Sequence, residues 1–279
     1  MAGVDLTPVA RRVADRARMI AEGSDLPVEV VSVSEPVGEA FILDGLARLL
    51  SEHRQAELDN LMKWVNDRAS VPMTGELLKG SPPWELVRRS KRAAMVVVGS
   101  SSVDVTRTGP VSSRVARKAL SDVLVVRRQP RAPYRKVVVA VDFSELSKTA
   151  VERALRWVPD GEITVVFCLP TRFDASLSEA GMFEEELDAS RKDRLRRAEE
   201  KMGSFVSEWG GVRSLVVDGP PQETIDEVVR RRAADLVVVG SRGAGATRMV
   251  LLGSVAEGLL AAAPCDVLVA RVPGEFRRP

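Results

Sequence analysis

Apolar and polar residues alternate in blocks along the second half of the chain. Five segments with mainly apolar cores predict buried strands, and they lie at residues 135–143, 162–169, 212–218, 235–240 and 266–272. Between the first two runs, Leu146, Ala150 and Ala154 recur at helical spacing, and Ser144 stands where a helix N-cap would lie. Strands that alternate with helices predict the α/β class, with a parallel sheet covered by helices on both faces.

The first half of the chain repeats this pattern. Three pairs of matching segments follow the same order at offsets of 137 to 144 residues: VDLT at 4–7 with VDFS at 141–144, VVVGS at 96–100 and 237–241, and DVLV at 122–125 and 266–269. A tandem duplication explains all of them. We predict one domain at 1–128, a Pro-containing charged linker at 129–134 and a second domain at 135–279. The opening MAGVDLT leaves the first strand of the first copy short or missing.

Composition narrows the class of protein. The 279 residues are 45% hydrophobic, 29% charged and only 4% aromatic, which suits a packed aliphatic core. The net charge of +2 comes without a clustered basic segment, so we expect no nucleic-acid or membrane binding. No apolar run reaches the length of a membrane span, and the start lacks the order of a signal peptide. Two cysteines without metal-like spacing favour a cytoplasmic protein.

A glycine-rich loop, GSRGAGATRMVLLGS at 240–254, follows the fourth strand of the second copy and precedes a helix. In parallel sheets this edge is where ligands bind, and the helix N-terminus favours an anion. A structural explanation is equally open, since Gly240 could simply end a strand, and Ser254 and Glu257 have the spacing of a capping box. No Walker loop is present, and no G-x-G-x-x-G follows the first strand of either copy.

The loop also resembles a known family. Gly240, Gly243, Gly253 and Ser254 match the G-2x-G-9x-G-[ST] signature of the ATP-binding universal stress proteins, and VVVAVDFS at 137–144 resembles that family's first strand. The resemblance implies a Rossmann-like, adenine-nucleotide-binding fold: two tandem doubly wound parallel five-stranded sheets flanked by helices, with the first strand of the N-terminal copy truncated.

The resemblance also implies roles for single residues. Backbone and hydroxyl groups of the loop and the following helix would hold the phosphates and ribose of ATP, namely Gly240, Gly243, Gly253, Ser254 and the Val255 amide. Asp142 would contact the nucleoside or bind an associated Mg²⁺ ion. Ala140 and Cys168 would pack around adenine. We add Arg242 and Arg248, which either neutralise phosphate or are simply exposed.

The first copy departs from the signature. Gly99 is kept, but Ser102 replaces Gly243, and only six residues separate Ser102 from Gly109. Pro110 stands opposite Ser254, which removes a hydroxyl and an N–H. We therefore expect no nucleotide in the first copy, where Asp5, opposite Asp142, would serve only as a helix cap.

These features predict an ATP-binding stress-response or regulatory protein whose C-terminal domain alone binds nucleotide, while the N-terminal domain stabilises or recruits a partner. The alternatives are a nucleotide-independent interaction or scaffold protein and a slow ATPase. His53, the only histidine, lies in a charged helix-like segment, and no catalytic set forms near the loop, so fast turnover is not expected. The family suggests that SDVLVVRR and CDVLVARV pair across the two halves. We also expect an unknown protein partner and a homodimer of the whole chain.

Overall fold

Strands and helices follow one another along the chain in the alternating order that the sequence predicts. The computed structural model describes residues 1–35, 44–100, 108–169, 184–241 and 252–272, and these ranges contain ten strands and eight helices. They group into two compact units. Among the helices in these ranges, none has the length and apolar character needed to cross a bilayer.

The first unit contains residues 1–133 and, from the end of the chain, residues 260–262 and the strand that begins at Asp266. Its elements are β1 Ala2–Val4, α1 Val9–Glu22, β2 Val28–Ser34, α2 Asp44–Asn66, β3 Met73–Lys79, α3 Pro82–Ser90, β4 Met95–Gly99, α4 Pro110–Lys118, β5 Asp122–Val126 and β10 Asp266–Ala270. The strand order is β3-β2-β1-β4-β5-β10. The first five strands are parallel, and β10 is antiparallel to β5.

The second unit contains Tyr134–Leu259 and Ala263–Cys265. Its elements are β6 Lys136–Val141, α5 Glu145–Trp157, β7 Glu162–Leu169, α6 Glu184–Val206, β8 Arg213–Asp218, α7 Pro221–Arg231, β9 Leu236–Gly240 and the start of α8, Ser254–Ala262. The four strands are parallel in the order β9-β6-β7-β8.

Burial explains why the apolar runs form strands. Val96, Val123, Val139 and Val237 are all inaccessible to solvent, as expected of strands covered on both faces. The strands at the outer edges, β3 in the first unit and β8 in the second, are more exposed than the strands inside each sheet. The α/β class, with mostly parallel strands in two halves flanked by helices, is therefore confirmed. The predicted truncation is confirmed too, because β1 has three residues yet still pairs with both β2 and β4.

Local signals for helix starts behave as the sequence indicates. The Ser144 side chain accepts a hydrogen bond from the Ser147 N–H and caps α5. Pro221 occupies the first turn of α7, where its missing N–H costs nothing. His53 lies on α2, in agreement with the helix-like segment that the sequence indicates, and its side chain is exposed.

The pairing of β5 with β10 is the one antiparallel contact of the first unit, within the described residues. Leu124 lies opposite Leu268, at the centre of the ladder. The two segments that the family resemblance suggested would pair therefore do so. By this contact the last strand of the second repeat belongs to the first unit, which the sequence repeat alone does not indicate.

A reciprocal set of polar contacts locks the two ends of this ladder. The Arg271 N–H donates to Asp122 Oδ1 at 2.9 Å, and the Arg127 N–H donates to Asp266 Oδ1 at 2.7 Å. The Arg127 guanidinium donates to the Leu260 carbonyl, and the Arg271 guanidinium donates to the Ala116 carbonyl.

The carboxylates of this set are almost fully buried. The Asp266 side chain is 1% exposed and lies 3.6 Å from the Arg16 guanidinium. It also accepts the Arg128 N–H at 3.1 Å. A buried carboxylate with several donors is held firmly, because losing it would leave each donor without a partner.

Asp266→Ala should therefore lower the free energy of unfolding by about 3 kcal/mol, because it removes the acceptor of two backbone N–H groups and the counter-charge of the buried Arg16 guanidinium. Urea unfolding followed by circular dichroism measures the loss. Asp59→Ala on the exposed face of α2 is the control, with an expected change of no more than about 0.5 kcal/mol. Equal losses in the two variants would show that the ladder does not depend on this carboxylate.

Candidate functional site

The carboxyl ends of β6 and β9 lie side by side in the second unit. Ala140 is in register with Val239, so Asp142 and Ser241 follow directly from neighbouring strand ends. Strand β6 has β9 on one side and β7 on the other, so the chain connections leave it in opposite directions. Such a switch point is where open parallel sheets bind their ligands.

Asp142 lies in a tight turn between β6 and α5. Its Oδ1 accepts the Ser144 N–H at 3.1 Å and the Ser147 hydroxyl at 2.7 Å. The Asp142 N–H in turn donates to Ser147 Oγ at 2.8 Å. The carboxylate is thus held at the strand end by local contacts that its own segment supplies.

Phe143 adopts a left-handed backbone conformation, with φ of +64°, which is rare for a bulky residue. Its ring packs against Phe167, with centroids 4.3 Å apart, and against Phe205, at 5.5 Å. The Lys201 ammonium lies 4.6 Å from the centre of the Phe143 ring. This packing offsets the backbone strain and keeps Asp142 at the edge of the sheet.

The first copy keeps the same turn with different contacts. Leu6 has φ of +57°, and Asp5 Oδ1 accepts both the N–H of Thr7 at 3.1 Å and its hydroxyl at 2.6 Å. Helix α1 has Pro8 at its N-cap and no side-chain cap. The expectation that Asp5 caps this helix is therefore wrong, because its carboxylate accepts hydrogen bonds from Thr7, which precedes the helix.

The two ends of the glycine loop are described, whereas Arg242, Gly243 and Arg248 lie outside the described residues. Gly240 ends β9 and is buried. The Gly253 N–H donates to the Ser241 carbonyl at 3.0 Å, which brings the start of α8 to the end of β9.

Gly253 is the N-cap of α8, in an extended conformation and without a side-chain cap. Ser254 is therefore the first helical residue, exposed, and its hydroxyl does not cap the helix. The capping-box explanation of Ser254 and Glu257 is wrong for this reason. Val255, half-buried, follows in the first turn, where helix N–H groups are available to an anion.

Ser241 is a residue that the sequence reasoning missed. Its side chain is 1% exposed, and its hydroxyl has no hydrogen-bond partner within the described residues. Its counterpart in the first copy, Ser100, accepts a hydrogen bond from Arg12 Nη2 at 3.0 Å. The repeated VVVGS could have identified Ser100 and Ser241 as equivalent residues. Only the fold reveals that Arg12 bonds the first of them. Thr149 of α5 stands at the position of Arg12 and bonds its own helix.

Ala140 and Cys168 share one face of the sheet. Ala140 is in register with Val166, and Cys168 lies two residues further along β7. Burial raises the pKa of the Cys168 thiol to about 12. The thiol lies 3.7 Å from the Pro221 carbonyl. Cys168 is thus a neutral packing residue, and neither it nor the buried Cys265 forms a disulfide.

A metal site built from protein side chains alone is absent from the described ranges, which hold no group of three His, Cys, Asp or Glu residues suited to one. Mg²⁺ does not need such a group, since it usually keeps several waters and binds one or two carboxylates together with substrate phosphates. The single carboxylate of Asp142 fits that mode only if phosphates supply the other ligands.

The comparisons with known proteins agree with this architecture. The model of the universal stress protein family matches residues 1–127 and 133–271. The chain therefore belongs to the universal stress protein family, in its tandem form with two such domains.

Some relatives match nearly the whole chain, and others match about half of it. A universal stress protein of Mycobacterium tuberculosis is 28% identical over 310 residues, covering 97% of this chain and 94% of that one. One from Methanocaldococcus jannaschii is 29% identical over 143 residues, covering 50% of this chain and 84% of its own. The crystal structure of a universal stress protein from Archaeoglobus fulgidus superposes with a TM-score of 0.70 at 21% identity, covering 99% and 97% of the two chains.

The repeat also preserves two glycines that the sequence reasoning did not single out. Gly80 and Gly219 follow β3 and β8 with φ of +142° and +143°, a conformation that side chains rarely adopt. Both precede the prolines that start a helix. The paired sequences GSPP and GPPQ were the available signal.

Substitution of the two equivalent serines, Ser100 and Ser241, should change the free energy of unfolding by different amounts. Ser100→Ala removes the acceptor of a buried guanidinium and should cost roughly 1–2 kcal/mol of unfolding free energy. Ser241→Ala removes a buried hydroxyl without a partner and should leave stability unchanged within about 0.5 kcal/mol, or raise it. Chemical denaturation of the ligand-free protein measures both, and a larger loss for Ser241→Ala would contradict the assignment.

The Cys168 thiol should resist alkylation in the native protein. Since its native pKa is raised to about 12, the reactive thiolate is scarce at mildly alkaline pH, whereas unfolding returns the group to its ordinary pKa of 9.0. Iodoacetamide labelling at mildly alkaline pH, read by peptide mass spectrometry, should modify Cys168 only after denaturant is added. Fast labelling in the absence of denaturant would show an accessible thiolate.

Proposed function

We propose that this tandem universal stress protein is a regulatory protein of the stress response that binds ATP with Mg²⁺ in its second domain only. The proposed division places a first domain at 1–128 and a second at 135–279. A chain with only two cysteines, both buried, is in keeping with a reducing compartment such as the cytoplasm.

The residues around the switch point would share the nucleotide as follows. The loop and the start of α8 would hold phosphates and ribose through Gly240, Arg242, Gly243, Gly253, Ser254 and the Val255 amide. Asp142 would contact the nucleoside or the Mg²⁺ ion, and Ala140 and Cys168 would pack against adenine. Bound ATP would bring the negative charge of its phosphates to the helix N-terminus.

The observation that carries this proposal is the contrast between Ser241 and Ser100. A buried hydroxyl without a partner costs roughly 1–3 kcal/mol unless something donates to it or accepts from it. In the first copy Arg12 donates a hydrogen bond to the Ser100 hydroxyl. In the second copy no described residue bonds the Ser241 hydroxyl. A ligand at the β6–β9 edge would restore the missing hydrogen bond.

The first domain has the opposite character. Pro110 begins α4 without an N–H, and the Ser100 hydroxyl already accepts a hydrogen bond from Arg12. We expect no nucleotide there, and the domain would serve for structure or partner recruitment.

A nucleotide-independent interaction protein is the second candidate. Leu46, Leu49 and Leu50 are exposed on one side of α2, with Leu49 at 62%. Large exposed apolar side chains at spacings of three and four residues favour contact with another protein, including a second copy of the chain. Slow hydrolysis of bound ATP remains a variant of the first candidate.

Calorimetric titration with Mg-ATP should give one site per chain. Release of adenine nucleotide from denatured purified protein would report the same site. ATP at about 100 times its dissociation constant should stabilise the fold by roughly 2.7 kcal/mol. Neither heat nor a shift in melting temperature at saturating Mg-ATP would leave the interaction protein as the better explanation.

Two variants locate the site. Gly243→Val should abolish ATP binding, because a side chain at this position blocks the approach of the phosphates to the backbone. Ser102→Val, at the matching position of the first copy, should bind ATP like the unaltered protein. Loss of binding in the Ser102 variant would show that the first domain also takes part.

A further inference from the structure

A cavity of about 280 Å³ lies in the first unit, at the carboxyl ends of its parallel strands. In the second unit, the ATP site is proposed at the equivalent strand ends. The ends of β1 and β4, the first turns of α1 and α4, and helix α3 surround it. The cavity is therefore where a ligand would lie if the first copy kept one.

Its walls are mainly aliphatic. The side chains that face it include Val4, Val9, Val13, Val33, Leu86 and Val111. Leu86 leans over β1 so closely that a Cβ on Gly3 would lie 2.8 Å from its methyl groups. The second copy has Ala140 at the position of Gly3, so the two sites differ in shape next to the first strand.

The polar side chains at the cavity are already engaged. Asp5 accepts from Thr7, and Ser100 accepts from Arg12. The Ser112 hydroxyl donates to the Gly99 carbonyl. A ligand therefore gains few hydrogen bonds from these groups and would be held by apolar contact.

The charge of the site disfavours an anion. Asp5 is the one ionisable residue among those that line the cavity, and it is acidic. The Arg12 guanidinium does not line the cavity, because Nη1 donates to the Arg127 carbonyl at 2.6 Å and Nη2 donates to Ser100 Oγ at 3.0 Å. Pro110 removes an N–H from the first turn of α4, where a phosphate would otherwise bind.

We propose that the first domain binds a neutral, mostly apolar small molecule in this cavity. The size follows from volume: an apolar cavity of about 150 Å³ holds benzene, so a cavity nearly twice as large suits a two-ring compound or an aliphatic chain of similar bulk. The duplicated edge would thus bind two chemically different ligands, and the proposal stands whether or not the second domain binds ATP.

Titration of the full chain with N-phenyl-1-naphthylamine, a neutral dye that fluoresces in apolar surroundings, tests the proposal. We expect saturable emission with one dye per chain, displaced by naphthalene. Saturating Mg-ATP and adenosine should leave the emission unchanged. Displacement by either compound would place the dye in a nucleoside site and overturn the proposal, as would emission that never saturates.

A pair of variants assigns the dye to the cavity. Val111→Phe places an aromatic ring in the cavity and should weaken dye binding by about tenfold or more. Arg114→Phe adds the same ring to the exposed side of α4 and should bind the dye like the unaltered chain. Equal affinities in the two variants would overturn the assignment.

Ala10→Leu fills the cavity from α1 and repeats the test should Val111→Phe fail to fold, as judged by circular dichroism. The calorimetric signal of Mg-ATP, which reports the second domain, should be the same in all these variants. Loss of the dye with retention of ATP binding therefore separates this proposal from the proposed function.

Discussion

The antiparallel contact between β5 and β10 is the constraint around which the first unit is built. Parallel strands β1 to β5 would otherwise end in an unpaired edge at β5, and such edges bind other chains. The ladder through Leu124 and Leu268 covers that edge. Asp122 and Asp266 then fix its register, because each accepts a backbone N–H from the strand opposite. A shift by one residue would leave both carboxylates buried without these donors.

The symmetry of that contact makes the difference between the two copies informative. Asp122 and Asp266, like Arg127 and Arg271, occupy equivalent positions and make equivalent contacts. The duplication has therefore kept its scaffold. The strand ends have changed instead. Arg12 donates a hydrogen bond to the serine of the first copy, and no described residue bonds the equivalent serine of the second. The two copies therefore differ at the strand ends and agree in the scaffold, as separate physical demands on site and scaffold would produce.

The sequence predicted most of the fold because the relevant signals are local. Strand runs, helical spacing and the Ser144 cap each depend on residues within one or two turns of the chain. The pairing of β5 with β10 came only from the family resemblance, since residues more than 130 positions apart leave no periodic pattern. The same distance hid the Arg127 and Arg271 contacts to main-chain carbonyls.

The predictions at the candidate site failed where two local explanations competed. Asp5 and Ser254 both had the residue type of a helix cap, yet Thr7 engages the first, and Gly253 takes the capping position of the second. The N-cap lies three residues after Asp5, at Pro8, and one residue before Ser254, at Gly253, and propensity does not resolve boundaries that finely. The role of Ser241 could not be inferred, because it depends on Arg12 having no equivalent in the other copy.

The place of β10 also has a consequence for synthesis on the ribosome. Domains generally fold as units while the chain emerges, the N-terminal one first. Here the first unit lacks its sixth strand until residues 266–270 have been made. Strand β5, which is apolar after Asp122, therefore has an unpaired edge while the second repeat is translated. The nascent chain spends that interval with a β-edge exposed to neighbouring chains, so a chaperone that covers it would act during elongation rather than after release.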